Sequence, residues 1–532
     1  MMRGWIDRVV LDLARQMRWS FLPPLMVYFA AGLSGLTAIT GAFFVKEYLD
    51  LSATALATLA FWVGLPWALK MPLGHLVDLI WRWKAWLVFL GAGLIAGSVL
   101  IMYALLAHRT AMEAIMPVNA WFATSALLAP FGYVVQDAVA DAMSIDAVPR
   151  AHPDGTPLTE RESKALHTTM QTLGRIALIG GLVLVAALNI VMFEGVEAMD
   201  PEQKAAIYRR LYLFALAIPL TSISGVLLAL VVSPNRTLAA RPAEKTEFDA
   251  RYFIGGGLFV ALAAGIGLWG GPGAQEMVFA GSLSIVLFLM RRMVRRMPHG
   301  KALALFGTAL IIFCFRAMPL PGAGLTWFEI DVLGFDQRFL SVLSLITSIL
   351  TLAGMIALRP LIARKSISWI VVMLTLAAGV LALPNIGLYY GLHEWTAART
   401  GGIVDARFIA ILDAAAESPL NQIAMVPMLA WIAKNAPEDL KATFFAVMAS
   451  FTNLALSASS LGTRYLNQFF VVTREVRDPA SGSVLVAADY DALGSLLLTV
   501  AGLSFATPLL VVVAVNAAIP AMASSEENNE SG

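Results

Sequence analysis

Charge is scarce in this chain. Of its 532 residues, 14% are Asp, Glu, Lys or Arg and 59% are hydrophobic. A soluble globular chain carries about 25% charged residues, so a water-soluble enzyme or binding module is excluded. The remaining charges sum to +1, which leaves no basic field to hold nucleic acid. Cysteine is almost absent. The lone Cys314 excludes an intramolecular disulfide framework and supplies no metal-ligand spacing. The six histidines are scattered, without the spacing of a zinc site. No Gly-x-x-x-x-Gly-Lys-Ser/Thr loop occurs, so ATP does not drive the chain directly. No nucleophile–base pair or metal constellation stands out, so neither catalysis nor a cofactor is expected. A cleavable signal peptide is also missing. Arg3, Arg8, Arg15 and Arg18 interrupt the apolar residues at the start, and residues 1–20 read as an amphipathic segment on the inner membrane surface.

Long apolar runs are abundant. Mean hydropathy is +0.75. A helix crosses a bilayer with about 20 apolar residues, and on that rule about fourteen spans are expected. They lie near 21–44, 53–73, 84–107, 115–147, 165–193, 209–233, 252–270, 275–291, 302–321, 338–358, 367–390, 406–434, 441–470 and 491–519. Basic residues gather in the loops of one side, most densely at Arg291, Arg292, Arg295, Arg296 and Lys301. The positive-inside rule makes that side cytoplasmic, which places both termini inside a multi-pass cell-membrane protein. The tail at 521–532 is polar and acidic, and disorder is expected there.

The two ends of the chain echo each other. Phe44-Val-Lys-Glu-Tyr-Leu-Asp-Leu-Ser follows the first span, and Phe328-Glu-Ile-Asp-Val-Leu-Gly-Phe-Asp follows the ninth. Lys164-Ala-Leu-His-Thr-Thr-Met opens the fifth span and Lys441-Ala-Thr-Phe-Phe-Ala-Val opens the thirteenth. The expected architecture is an all-α polytopic protein with six-helix halves at 21–250 and 301–520. An inserted two-helix hairpin with its basic loop lies at 251–300, with a peripheral packing role expected. Parallel repeats of this kind are a secondary-transporter plan, with substrate bound near the bilayer midplane.

Ionisable residues inside spans point to function, because burying them in lipid is costly. The stretch Phe131–Asp146 carries three acids. Asp137 and Asp141 are four apart and share one helix face, whereas Asp146 falls near the inner surface. At about 1.5 Å per residue, Asp137 lies roughly 15 Å from the inner end of its span and Arg175 roughly 13 Å from the inner end of the next. Matched depth predicts an Asp137–Arg175 ion pair, leaving Asp141 to titrate. A static network of all these charges is the alternative reading. In the second half Asp413 and Glu417 repeat the spacing of four. Arg316 could pair with Asp413 or hold a substrate carboxylate bidentately. Gln422 and Asn453 could hydrogen-bond a heterocycle, or join helices.

Three motifs together resemble the folate–biopterin transporter family of the major facilitator superfamily. One is Val27-Tyr-Phe-Ala-Ala-Gly-Leu-Ser-Gly-Leu. The second is Leu65-Pro-Trp-Ala-Leu-Lys-Met-Pro-Leu-Gly-His-Leu-Val-Asp78. The third is the acid series Asp137, Asp141 and Asp146. The resemblance implies alternating access and a folate- or pterin-like cargo; the burial of Asp137 and Asp141 and the missing ATP motif point to proton coupling through these two acids. It makes Asp78 a gating carboxylate beside Arg82 and Lys84, and favours substrate contact for Arg316. The acid series equally resembles muropeptide permeases, so a muropeptide remains the second cargo. A non-transporting assembly factor on the same fold remains a third reading. The implied partners are a small solute and the lipid bilayer, with a monomer favoured.

Overall fold

The computed structural model describes residues 17–49, 51–70, 73, 76–77, 80, 83–149, 156, 159–232, 250–269, 271–295, 299–357, 366–418, 441–477 and 483–519. The amphipathic segment at 1–16 and the acidic tail at 521–532 lie outside the described residues. Within them the chain is a succession of helices, as a bilayer requires when every backbone polar group must be satisfied internally. In chain order they begin with α1 Leu22–Leu33, α2 Ala38–Tyr48, α3 Ala53–Gly64, α4 Lys84–Ala107, α5 Val118–Ala147 and α6 Glu160–Met192. Then come α7 Pro201–Ala215, α8 Ala217–Val232, α9 Ala250–Trp269, α10 Ala274–Val294, α11 His299–Arg316 and α12 Ala323–Asp331. The last are α13 Gln337–Ala357, α14 Ile367–Tyr389, α15 Ala406–Glu417, α16 Lys441–Phe469 and α17 Leu493–Ala518. Helices lie within the expected spans, but among the described residues the one in 53–73 ends at Gly64 and the one in 406–434 is described only to Glu417. Among the described residues, nine spans are long and apolar enough to cross a membrane by length and composition.

Two spans depart from a simple rod. The first is split by a 3-10 turn at Ser34–Thr37 between α1 and α2. Ser-Gly-Leu-Thr holds three residues of modest or poor helix propensity. The sixth is split at Leu216, between α7 and α8. Pro219 supplies no N–H and its ring displaces the Ala215 carbonyl. A capping box between Asp200 and Gln203 starts α7. Outside the spans, β1 Val476–Arg477 and β2 Val484–Val486 form a small antiparallel hairpin between α16 and α17.

The chain divides into two compact units, Met1–Gly41 with Leu73–Asp249 and Ala42–Pro72 with Ala250–Gly532. The repeat suggests halves at 21–250 and 301–520; packing assigns α3, with the last turns of the first span, to the second unit. In the first unit α1 packs against α5, α6 and α8. Glycine lets these helices meet. A Cβ on Gly132 of α5 would lie 2.6 Å from the Gly91 carbonyl oxygen of α4, and one on Gly181 of α6 would lie 2.6 Å from that of Phe29. Ser98 and Ser125 fasten α4 to α5 with reciprocal hydroxyl-to-carbonyl bonds of 2.8 and 2.9 Å.

In the second unit a core joins Phe61 of α3, Phe259 of α9, Val278 and Met290 of α10, Leu305 of α11 and Phe451 of α16. The inserted hairpin packs on this core along one face. Its other face is exposed at Ile254, Leu258 and Phe288. Polar bonds fix its register. Gln275 Nε2 donates to the Thr58 carbonyl at 2.9 Å, and Arg464 of α16 donates to both Gln275 and Glu276 at 3.0 Å.

Candidate functional site

In the first unit the acid pair lies on α5 as its spacing requires. Both Asp137 and Asp141 are half-buried. The Tyr28 hydroxyl of α1 donates to Asp141 Oδ1 at 2.8 Å, and the Tyr28 side chain is 9% exposed. Asp137 also acts electrostatically on that hydroxyl. The expected Asp137–Arg175 ion pair is not formed: among the described residues, no ion pair joins the two. The reason is azimuthal. Depth counting places two side chains along the helix axes but not around them. Here α1 packs on both α5 and α6, which touch each other little. The Tyr28 ring lies against α6 at Gly174, where a Cβ would be 3.0 Å from its edge. Nearby, Gln136 is buried and donates to the Val88 carbonyl at 3.1 Å and to Ser222 Oγ at 2.9 Å. It locks α5 to α4 and α8 and holds the acid face in register. Asp78 lies outside the described residues.

In the second unit Asp413 is buried on α15, and Asn385 Nδ2 of α14 donates to its Oδ2 at 3.0 Å. Its other oxygen, Oδ1, is buried without a hydrogen-bond partner in the structure. Glu417 follows one turn later and is exposed. Arg316 is the last residue of α11 and has a partner of its own; among the described residues the ion pairs seen do not include one between Arg316 and Asp413. Gln422 lies outside the described residues. Asn453 Nδ2 donates to the Trp67 carbonyl at 3.0 Å. Its amide is thereby engaged as a tie between α16 and the 3-10 turn Leu65–Leu69. Glu329 on α12, outside the spans, completes the acidic group. Burial and then the Asp413 charge push its carboxyl up to about 7.

A third arrangement closes one end of the second unit. Lys46 Nζ of α2 meets Asp331 Oδ1 of α12 at 2.5 Å. The Tyr490 hydroxyl donates to Asp331 Oδ2 at 2.6 Å. Arg474 is buried, donates to the Lys46 carbonyl and stands 5.6 Å over the Trp327 ring. Tyr389 of α14 donates to the carbonyls of Tyr490 and Asp491 at 3.1 and 3.0 Å. The echoed sequence motifs thus meet directly, Lys46 from the first and Asp331 from the second. Sequence reasoning treated them as equivalents and missed them as partners. It also missed Tyr28 and Asn385, which are ordinary polar residues within apolar runs until their acid partners are located.

Comparison with known proteins adds to this geometry. A model of the BT1 family matches residues 279–531. A folate-biopterin transporter of Synechocystis sp. is 22% identical over 447 residues, which is 82% of this chain and 72% of the relative. Among solved structures, a POT family transporter in complex with 5-aminolevulinic acid aligns with a TM-score of 0.60 at 12% identity, covering 93% of this chain and 95% of its own. The nucleoside transporter NupG aligns with a TM-score of 0.51 at 12% identity, covering 94% of this chain and 99% of its own. The fold is of the major facilitator type. The resemblance to the folate–biopterin transporter family holds.

Proposed function

We propose that this membrane transporter-like chain, similar to a folate-biopterin transporter over most of its length, is a proton-coupled secondary carrier of a folate- or pterin-like solute. The observation that carries the cargo class is that 82% overlap. The observation that supports coupling is the Tyr28–Asp141 bond inside the first bundle. When Asp141 is ionised, the Tyr28 hydroxyl makes a charge-assisted bond to it and α1 is held to α5. When Asp141 takes a proton, that bond loses its charge assistance and the helices are freer to part. A proton and a helix contact are thereby linked. Asp137 modulates the pair through its charge, and Arg175 is left to balance the local field from α6.

Alternating access needs contacts that hold one face shut in one state and break in the other. The group of Lys46, Asp331, Tyr490 and Arg474 serves as such a latch, and Asp78 serves as a gating carboxylate. Asp413, Glu417 and Arg316 are the second unit's candidate contacts to a polar solute. Asn453 holds the 3-10 turn after α3 through the Trp67 carbonyl, and Gln422 is a further candidate to hydrogen-bond the heterocycle. The protein acts as a monomer in the cell membrane with both termini cytoplasmic.

The test is uptake of folate and biopterin into proteoliposomes with and without an inward proton gradient. The wild type accumulates solute only with the gradient. Asp141→Asn retains exchange but loses accumulation. Gradient-independent accumulation by the wild type, or full accumulation by Asp141→Asn, overturns the coupling.

A further inference from the structure

The first unit contains a cavity of about 200 Å³, bounded by the 3-10 turn after α1 and by α2, α4, α5, α7 and α8. Its wall carries hydroxyls from Ser34, Ser98, Ser125, Tyr133 and Tyr212, with Phe122 among them. Among the described residues, no Asp, Glu, Lys, Arg or His lines it. An ionised group inside would have no charge partner, and burying it would be costly.

The hydroxyls divide by what they can still do. Ser98 and Ser125 spend their hydrogens on each other's carbonyls. Their two oxygens lie 2.9 Å apart, and each keeps a lone pair able to accept. The Ser34 hydroxyl lies near that of Tyr133. Tyr212 differs. It is 4% exposed, and among the described residues no hydrogen bond engages its hydroxyl. The hydroxyl stands 3.9 Å from where a Cβ on Gly41 would be, and Gly41 is itself part of the wall. A buried tyrosine hydroxyl normally finds a partner; here the space beside it is the cavity.

We infer that this cavity is a binding site for an uncharged, planar nitrogen heterocycle, the ring portion of the cargo. The inference rests on the transport reading given above. Ring N–H groups donate to the Ser98 and Ser125 oxygens, and the Tyr212 hydroxyl donates to a ring nitrogen or carbonyl. Phe122 and Tyr133 offer flat faces. Carboxylate tails stay outside, because the lining has no cation to receive them.

The experiment is thermal-shift and calorimetric titration of the purified full chain with biopterin and, separately, with p-aminobenzoylglutamate, the charged tail of a folate without its ring. Biopterin should bind saturably, and the tail should not bind at the same concentration. Tyr212→Phe should weaken biopterin at least fivefold while leaving the unliganded melting temperature unchanged, since it removes a hydroxyl that holds nothing. Ala126→Leu, which fills the cavity from its wall, should abolish binding. If the wild type binds biopterin and both variants bind it equally well, the site is overturned and the cargo class survives. If the wild type binds no biopterin, both are overturned.

Discussion

Glu329 is the residue whose protonation follows most directly from its surroundings. Its carboxyl is raised from 4.5 to about 7 by burial and by Asp413. The folded protein holds a proton there that the unfolded chain releases at lower pH. Stability therefore falls as pH rises from about 4.5 to about 7 and then levels off. Glu329→Gln keeps the neutral shape and removes this dependence. Its melting temperature should equal that of the wild type at pH 5 and exceed it at pH 8; equal values at both would show that Glu329 is solvated. The sequence revealed which acids are costly in a membrane, because Asp137, Asp141 and Asp413 stand out in apolar runs. It did not reveal their partners. Tyr28, Asn385 and the Asp331 partner Lys46 are 113, 28 and 285 residues away from the acids they serve, and no local pattern links them.

Elements were more legible than residues. Apolar runs of bilayer length fix where helices lie, because lipid leaves the backbone no other option. The splits within the first and sixth spans were marked by Ser34-Gly35 and by Pro219, yet a hydropathy window averages over such single positions. Azimuth was not legible, which is why matched depth alone did not bring Asp137 and Arg175 into an ion pair among the described residues. Close helix approach makes a sharp prediction. Gly132→Val drives a side chain into the Gly91 backbone, 2.6 Å from the first added carbon. Overpacking of this kind costs about 1–3 kcal/mol, and thermal unfolding in detergent should show it as a drop of several degrees. An unchanged melting temperature would mean that α4 and α5 can separate freely. The latch is tested as a cycle. Lys46→Ala and Asp331→Ala should each raise the reactivity of a cysteine placed at Thr54 with a membrane-impermeant maleimide, by roughly fivefold for a pair worth about 1 kcal/mol. The double variant should react no faster than either single one. Additive effects would show that the two residues act separately.

At the scale of the molecule, the density of basic residues in alternate loops predicts orientation. Epitope tags at the two ends should both resist protease in sealed right-side-out vesicles and both be cleaved once the vesicles are opened. Cleavage of either in sealed vesicles would refute the assigned topology. The repeat read from the sequence foretold a major facilitator fold, but could not foretell that α3 packs with the second unit, since repeats record sequence kinship and packing records contact. That placement has a consequence in time. The Thr54 hydroxyl bonds to the Asn467 carbonyl across 413 residues, and Asn453 reaches Trp67 across 386. At about 5–20 residues per second, the ribosome needs roughly 20–80 seconds to supply the helix that α3 must meet. During that interval α3 waits in the bilayer with Phe61 facing lipid in place of its eventual neighbours. A chain cut before Lys441 would leave that wait without an end, and membrane quality-control proteases would see an orphaned second span.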